Sequence, residues 1–312
     1  MRKTVLEAVH RLAQRDPRVL FIGSDLGAGV LAAMQAEMPE RFFMEGVSEA
    51  HVIGMAAGLA MDGYIPYVNT IATFITRRGF EQVALDVCLH HVPVRLIASG
   101  GGAVYAPLGP THMAIEDLAT MRALPNMTVV APADAVEMTQ FMESTLDWRD
   151  PIYIRLAKGG DRVITASGDP FAIGRAKPMR AGDDIGFVTT GIMTGRALLA
   201  ADALAAEGIE SAVLHNATVK PLDAGAIADL ARSVRLIVSV EEHLRTGGLG
   251  SAVLETLSDR DIRTPVLRLG FGDAYIHSYG SQDDVLSAHG LDPAGIAAAA
   301  RARLETAAAG VR

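Results

Sequence analysis

Glu49 is the residue whose setting most invites chemistry. It stands in Gly46-Val47-Ser48-Glu49-Ala50-His51, and no further acidic residue, lysine or arginine follows before Asp62. Gly54, Ala57 and Gly58 let such a helix pack closely, so its surroundings should be buried. A glutamate at a helix start ordinarily does no more than complement the helix dipole. Burial shifts the weighing, because a carboxylate withdrawn from water needs a hydrogen-bond partner or a shared proton. A carboxylate that shares a proton is equipped for general acid–base work.

Two further segments could carry chemistry. In Thr73-Phe74-Ile75-Thr76-Arg77, followed by Glu81-Gln82, an aromatic precedes an arginine by three residues. That is either a ring-binding pair or a core phenylalanine beside a solvated arginine. Gly100-Gly101-Gly102, Gly109-Pro110-Thr111-His112 and Glu116-Asp117 form the other. Glycines let backbone approach a ligand closely, and a surface loop has the same composition.

The elements that would position these groups read as alternating strands and helices. Leu6, Val9, Leu12 and Ala13 recur at helical spacing, and Asp16-Pro17 stops that helix. Short apolar strands are expected over 19–22, 67–69, 94–98, 128–131 and 152–155. Helices are expected over 49–62, 79–90, 115–123 and 135–148. A Gly-, Arg-, Pro- and Asp-rich stretch over 161–182 reads as a linker. Beyond it, strands over 185–189, 212–215, 236–240 and 266–268 alternate with helices over 194–206, 224–231 and 249–257. An Ala-rich helical tail, frayed at its end, follows Leu291. The expected fold class is α/β, with two tandem domains (1–160 and 183–312), each a mostly parallel sheet with helices on both faces.

Composition narrows the function classes. The chain has 312 residues and a net charge of −8, with no basic tract longer than pairs such as Arg77-Arg78, which argues against nucleic acid as a partner. The single cysteine, Cys88, sits among Val83, Ala84, Leu85, Val87 and Leu89 as a packed thiol and excludes an internal disulfide framework. No targeting signal or membrane-spanning run is evident, so a cytoplasmic protein is expected.

The motifs GVSEAHVIGMAAGLAMDG, ATFITRRGFEQV, GPTHMAIEDLATMRALPNMTVVAPAD, TVKPLD and VEEHLRTGGLGSAV together resemble the C-terminal portion of transketolase and of 1-deoxy-D-xylulose-5-phosphate synthase. The resemblance runs over nearly the whole chain. It implies a domain that binds the aminopyrimidine of thiamine diphosphate, followed by a transketolase C-terminal domain. It further implies that Glu49 hydrogen-bonds the pyrimidine N1′ and so promotes proton removal at the thiazolium carbon. Phe74 would stack on the ring, Ile71 would line its pocket, and Arg77 would stand at the site edge or in an interface ion pair. His112 would face the substrate channel, and Lys158 would take the place of an arginine that captures phosphate, as a point charge without bidentate geometry.

The resemblance also marks departures. Transketolases have a histidine at the position of Gly100 and an aspartate at that of Leu108, both of which meet sugar hydroxyls. Losing both weakens the expectation of ketose–aldose exchange and suits a donor such as a 2-oxo acid. The family's Gly-Asp-Gly…Asn motif for Mg²⁺ has no counterpart, since Gly182-Asp183-Asp184 and Gly272-Asp273-Ala274 fit in neither sequence nor position. Diphosphate and Mg²⁺ are therefore expected on a partner subunit of the N-terminal transketolase type, in an α2β2 heterotetramer with self-dimerisation. The activity expected is transfer of a two-carbon ketol or acyl unit to an aldehyde. The alternatives are the beta subunit of a 2-oxo-acid dehydrogenase, a 1-deoxy-D-xylulose-5-phosphate synthase-like activity, or a non-catalytic paralogue. Thr246-Gly247-Gly248-Leu249-Gly250 could cradle an anion at a helix start. By analogy with the family it is given a structural role, as are Asp25, Glu241, Glu242 and His243.

Overall fold

Short runs of Val, Ile, Leu and Phe between helices can hide both faces only inside a parallel sheet. The computed structural model describes residues 1–157 and 159–309. It divides into two units, one made of Met1–Gly101 and Thr120–Ile173, the other of Gly102–Ala119 and Gly174–Arg312.

In the first unit the strands are β1 (Val19–Gly23), β2 (Phe42–Met44), β3 (Ile65–Ile71), β4 (Arg95–Ser99), β5 (Thr128–Val130) and β6 (Ile152–Leu156). They run in the order β5-β6-β4-β3-β1-β2, and each neighbouring pair is parallel. Every residue of β1, β3, β4 and β6 is buried, as continuous apolar strands require. Helices cover both sides of the sheet. β2 was not anticipated, because three residues after a Pro-containing turn offer no alternation to read. The helix expected over 79–90 is a short helix, Phe80–Gln82, continued by wide π turns over Val83–Leu89. Cys88 is buried there, as its apolar neighbours predict.

Asp134 shows how the connections are held. Its side chain caps the helix Ala135–Ser144 by accepting from the Val136 and Glu137 N–H groups. It also accepts from the Ile164 and Thr165 N–H groups and from the Thr165 hydroxyl, at 2.7–2.9 Å. Burial pushes this carboxyl upward, but those donors outweigh burial and hold it below the usual carboxylate range. A lowered native value means that the contribution is complete above about pH 4, the unfolded value, and is lost as pH falls through the native one. Asp134→Asn should therefore lower the urea midpoint at pH 7, and the gap to wild type should shrink at pH 3.

In the second unit β7 (Lys177–Arg180), β8 (Ile185–Thr189), β9 (Ser211–His215), β10 (Thr218–Lys220), β11 (Leu236–Leu244) and β12 (Val266–Phe271) follow in sequence. The sheet order is β12-β11-β8-β9-β7, parallel except where β7 meets β9. β7 falls inside the stretch read as a linker. Its Pro178 lacks an N–H and is tolerated because the strand lies at the sheet edge. Ala103, Ala106, Met113 and Ile115 belong to the same apolar cluster as Phe187, Val238 and Phe271, which fastens the 102–119 segment to this unit. The Ala-rich tail forms the helix Pro293–Ala309, and the end expected to fray lies outside the described residues. Among the described residues no helix is long and apolar enough to cross a membrane.

Candidate functional site

In a parallel sheet the loops that bind ligands leave from the carboxyl ends of the strands. Gly23 of β1 is in register with Met44 of β2 and Asn69 of β3, and Ile71 of β3 with Ser99 of β4. The chain leaving β2 leads to Glu49, that leaving β3 to Phe74, and that leaving β4 to Gly100. All three depart from one edge. Buried polar groups beneath that edge bind one another: the Ser99 hydroxyl donates to Asn69 Oδ1 at 3.0 Å and the Ser24 hydroxyl to Thr70 Oγ1 at 2.9 Å. A fully satisfied network of this kind fixes the loop roots.

Glu49 is the first residue of the helix Glu49–Met61, reached through Gly46 at φ +73. The Ser48 hydroxyl donates to the Glu45 carbonyl at 3.1 Å instead of capping the helix. Glu49 is only 3% exposed. Its Oε2 accepts from Arg78 Nη1 at 3.3 Å. Its Oε1 is buried and has no hydrogen-bond partner among the described residues. An orphaned acceptor of this kind costs about 1–3 kcal/mol, more when charged, and native folds keep few of them without a functional reason.

Phe74 begins a single wide π turn, Phe74–Arg78, a geometry concentrated at functional sites. Four residues on, Arg78 returns to the same side and its Cζ lies 3.8 Å from the Phe74 ring centroid. Gly79 follows because a β-carbon there would come within 2.3 Å of Ile53 Cδ1, so glycine lets this turn close on the helix that carries Glu49. Arg78 thus joins Glu49 to Phe74. Arg77, the arginine singled out from the sequence, is exposed, as is Arg78, which the sequence reading did not name. The four-residue spacing from Phe74 was the signal available.

Ile71 is buried at the end of β3, and Gly100 is buried just past β4 at φ +80. Leu108 and His112 belong to the segment that clusters with the second unit. Leu108 is exposed on the turn Ala106–Leu108, and His112 Nδ1 lies 2.9 Å from Thr111 Oγ1. Lys158 lies outside the described residues.

Within the second unit, Glu242 and His243 on β11 hold this segment by its backbone. Glu242 Oε1 accepts from Ala103 N–H at 2.8 Å and from Gln282 Nε2 at 2.7 Å. His243 Nε2 accepts from Ala119 N–H at 3.2 Å, and Leu244 N–H donates to the Ile115 carbonyl at 2.7 Å. These residues position the loop that bears His112. Glu241 Oε2 and Oε1 accept from Leu249 N–H at 2.7 Å and Gly250 N–H at 2.8 Å. The helix start that could have cradled a foreign anion is therefore closed by the chain's own carboxylate. A β-carbon on Gly248 would lie 2.0 Å from Glu241 Oε2 and 2.6 Å from His243 Nδ1. Gly248→Ala should destabilise this unit by about 2–4 kcal/mol through overpacking and lost hydrogen bonds, seen as a lower thermal midpoint.

The donor set of the first unit fits an aminopyrimidine: a buried carboxylate oxygen awaits a ring donor, and an aromatic face stands beside it. Among the described residues no group of three or more His, Cys, Asp or Glu side chains could hold a metal ion.

Residues 1–160 match the family model described as transketolase, pyrimidine binding domain, and residues 174–296 that described as transketolase, C-terminal domain. The 1-deoxy-D-xylulose-5-phosphate synthase of Synechococcus sp. (strain JA-3-3Ab) is 35% identical over 300 residues, 95% of this chain and 46% of that protein. Synthase 1 of Geobacter metallireducens is 37% identical over 299 residues, 95% of this chain and 47% of that protein. The chain thus spans about half the length of the curated relatives it matches. A solved structure titled split gene transketolase, inactive beta4 tetramer, superposes with a TM-score of 0.88 at 35% identity and 97% coverage of both chains. A transketolase mutant from Pichia stipitis shares the fold, with a TM-score of 0.77 at 21% identity over 98% of this chain and 46% of that one.

Proposed function

Because the chain belongs to the transketolase family and matches its pyrimidine-binding and C-terminal domains, we propose that it is one subunit of a thiamine-diphosphate-dependent transferase, active only with a partner. The observation that carries this reading is the buried Glu49 Oε1, which has no hydrogen-bond partner among the described residues, on a side chain that one arginine links to Phe74. Thiamine diphosphate, when bound, supplies the nucleophilic thiazolium carbon that takes up a two-carbon ketol or acyl unit. Glu49 shares a proton with the pyrimidine nitrogen at its orphaned oxygen. Phe74 and Ile71 contribute apolar area that orients the ring and excludes water. His112 and Leu108 are the groups offered to the substrate, and Lys158 would bind an anionic part of it.

The diphosphate and Mg²⁺ are assigned to the partner subunit, in an α2β2 heterotetramer. The neighbour titled an inactive beta4 tetramer supports that dependence. A narrower reading is a 1-deoxy-D-xylulose-5-phosphate synthase-like activity, favoured by curated relatives of that name, and the apolar Leu108 favours a 2-oxo acid over a ketose as donor. The test is co-purification with a subunit carrying Gly-Asp-Gly…Asn, then assay with thiamine diphosphate, Mg²⁺, an aldehyde acceptor and either donor class. Turnover with a ketose supports ketol transfer, and turnover with only a 2-oxo acid supports acyl transfer. A mixture that neither assembles nor turns over with either donor contradicts both.

A further inference from the structure

Resting on the reading that this half-site takes the aminopyrimidine of thiamine diphosphate, we propose that the Arg78 guanidinium is an internal stand-in for that ring, which closes the half-site until the cofactor displaces it. Its two contacts fall on the two residues assigned to the ring: it covers the Phe74 face, and it holds the carboxylate oxygen of Glu49 beside the one left for the ring. Nη1 donates to Glu49 Oε2 at 3.3 Å, and the guanidinium carbon lies over the Phe74 face at 3.8 Å from the centroid. A guanidinium is flat, carries its N–H donors in its own plane and stacks on aromatic faces. An aminopyrimidine presents the same plane and edge.

The geometry also allows exit. Arg78 remains 51% exposed while Glu49 is 3% exposed, so the arginine can swing into water while the carboxylate stays. It rides on the π turn Phe74–Arg78, next to Gly79, not on a regular helix. Retained beside Glu49, its charge would compete with the proton that the carboxylate shares in the proposed reaction. The stand-in therefore covers the Phe74 face and one oxygen of a buried carboxylate in the unloaded chain, and has to leave that face when the cofactor ring stacks there.

Removing the competitor should tighten binding. In the complex reconstituted with the diphosphate-binding subunit, equilibrium dialysis with thiamine diphosphate and Mg²⁺ should show Arg78→Ala binding about three- to tenfold tighter than wild type, the scale of one exposed ion pair plus one cation–π contact. Arg78→Lys, which keeps the charge but loses the planar stack, should fall between them. In the free chain, one arginine Nε–H NMR signal should carry a ring-current shift that Phe74→Leu abolishes. In the wild-type complex that shift should vanish when thiamine diphosphate is added. If Arg78→Ala binds the cofactor as wild type does or more weakly, or if the shift persists in the loaded complex, the stand-in is refuted while the cofactor reading survives. If the wild-type complex takes up no thiamine diphosphate, the cofactor reading falls and the stand-in with it.

Discussion

Glu49→Gln should lower turnover of the reconstituted complex at least about a thousandfold while leaving the chain as stable as wild type or more so. The pairing of these effects is what the structure dictates. A glutamate kept only to complement the helix dipole would lose a few tenths of a kcal/mol on neutralisation, and activity would hardly change. Glu49 is instead buried, with one oxygen unpartnered among the described residues and the other bound to a half-exposed arginine. An acceptor stranded in this way is a liability that native folds tolerate at functional positions. An amide in its place has less to desolvate, but it cannot share a proton as a carboxylate does. Single-turnover kinetics beside urea unfolding would separate the two effects. A large loss of stability with normal turnover would assign Glu49 to structure alone.

Arg95→Met should cost the first unit about 3–5 kcal/mol, an effect large enough to threaten its folding. Arg95 lies within β4 and is fully buried, opposite Tyr67 of β3. Its guanidinium gathers three carbonyls from one connection: Nε donates to Thr145 at 3.0 Å, Nη1 to Asp150 at 2.6 Å, and Nη2 to Trp148. Tyr67 Oη joins Thr145 Oγ1 at 2.6 Å in the same cluster. Burial lowers the Arg95 pKa to about 10, still well above neutrality, so the group remains a cation and its donors remain charged. Methionine fills much of the volume yet leaves carbonyls without donors. Arg95→Lys, with one ammonium in place of a planar fork, should recover only part of the loss. Denaturant midpoints of the three forms measure this directly. Equal midpoints would show that the carbonyls find water.

The sequence was most readable where local pattern and burial agree. Strands 19–22 and 185–189 lie within or match β1 and β8, because a continuous apolar run between helices has few alternatives. Glu49 could be singled out because a charge departs from what its segment would otherwise contain, whereas Phe74 came from the family resemblance. What escaped was set by tertiary contact. Arg95 sat unnoticed inside an apolar strand, since nothing local announces the three carbonyls that neutralise its burial. Arg78 was not named, because it is a π turn and not a regular helix that brings it over the Phe74 ring. The role of Glu242 and His243 in holding residues 102–119 joins positions more than a hundred residues apart.

The most direct measurement is a structure of the assembled complex with thiamine diphosphate bound. The account expects Glu49 Oε1 within hydrogen-bond reach of the pyrimidine N1′, the Phe74 ring against the pyrimidine, and the phosphates and Mg²⁺ held by the other subunit. A cofactor bound with Glu49 turned away from its pyrimidine, or held entirely by one chain, would contradict it.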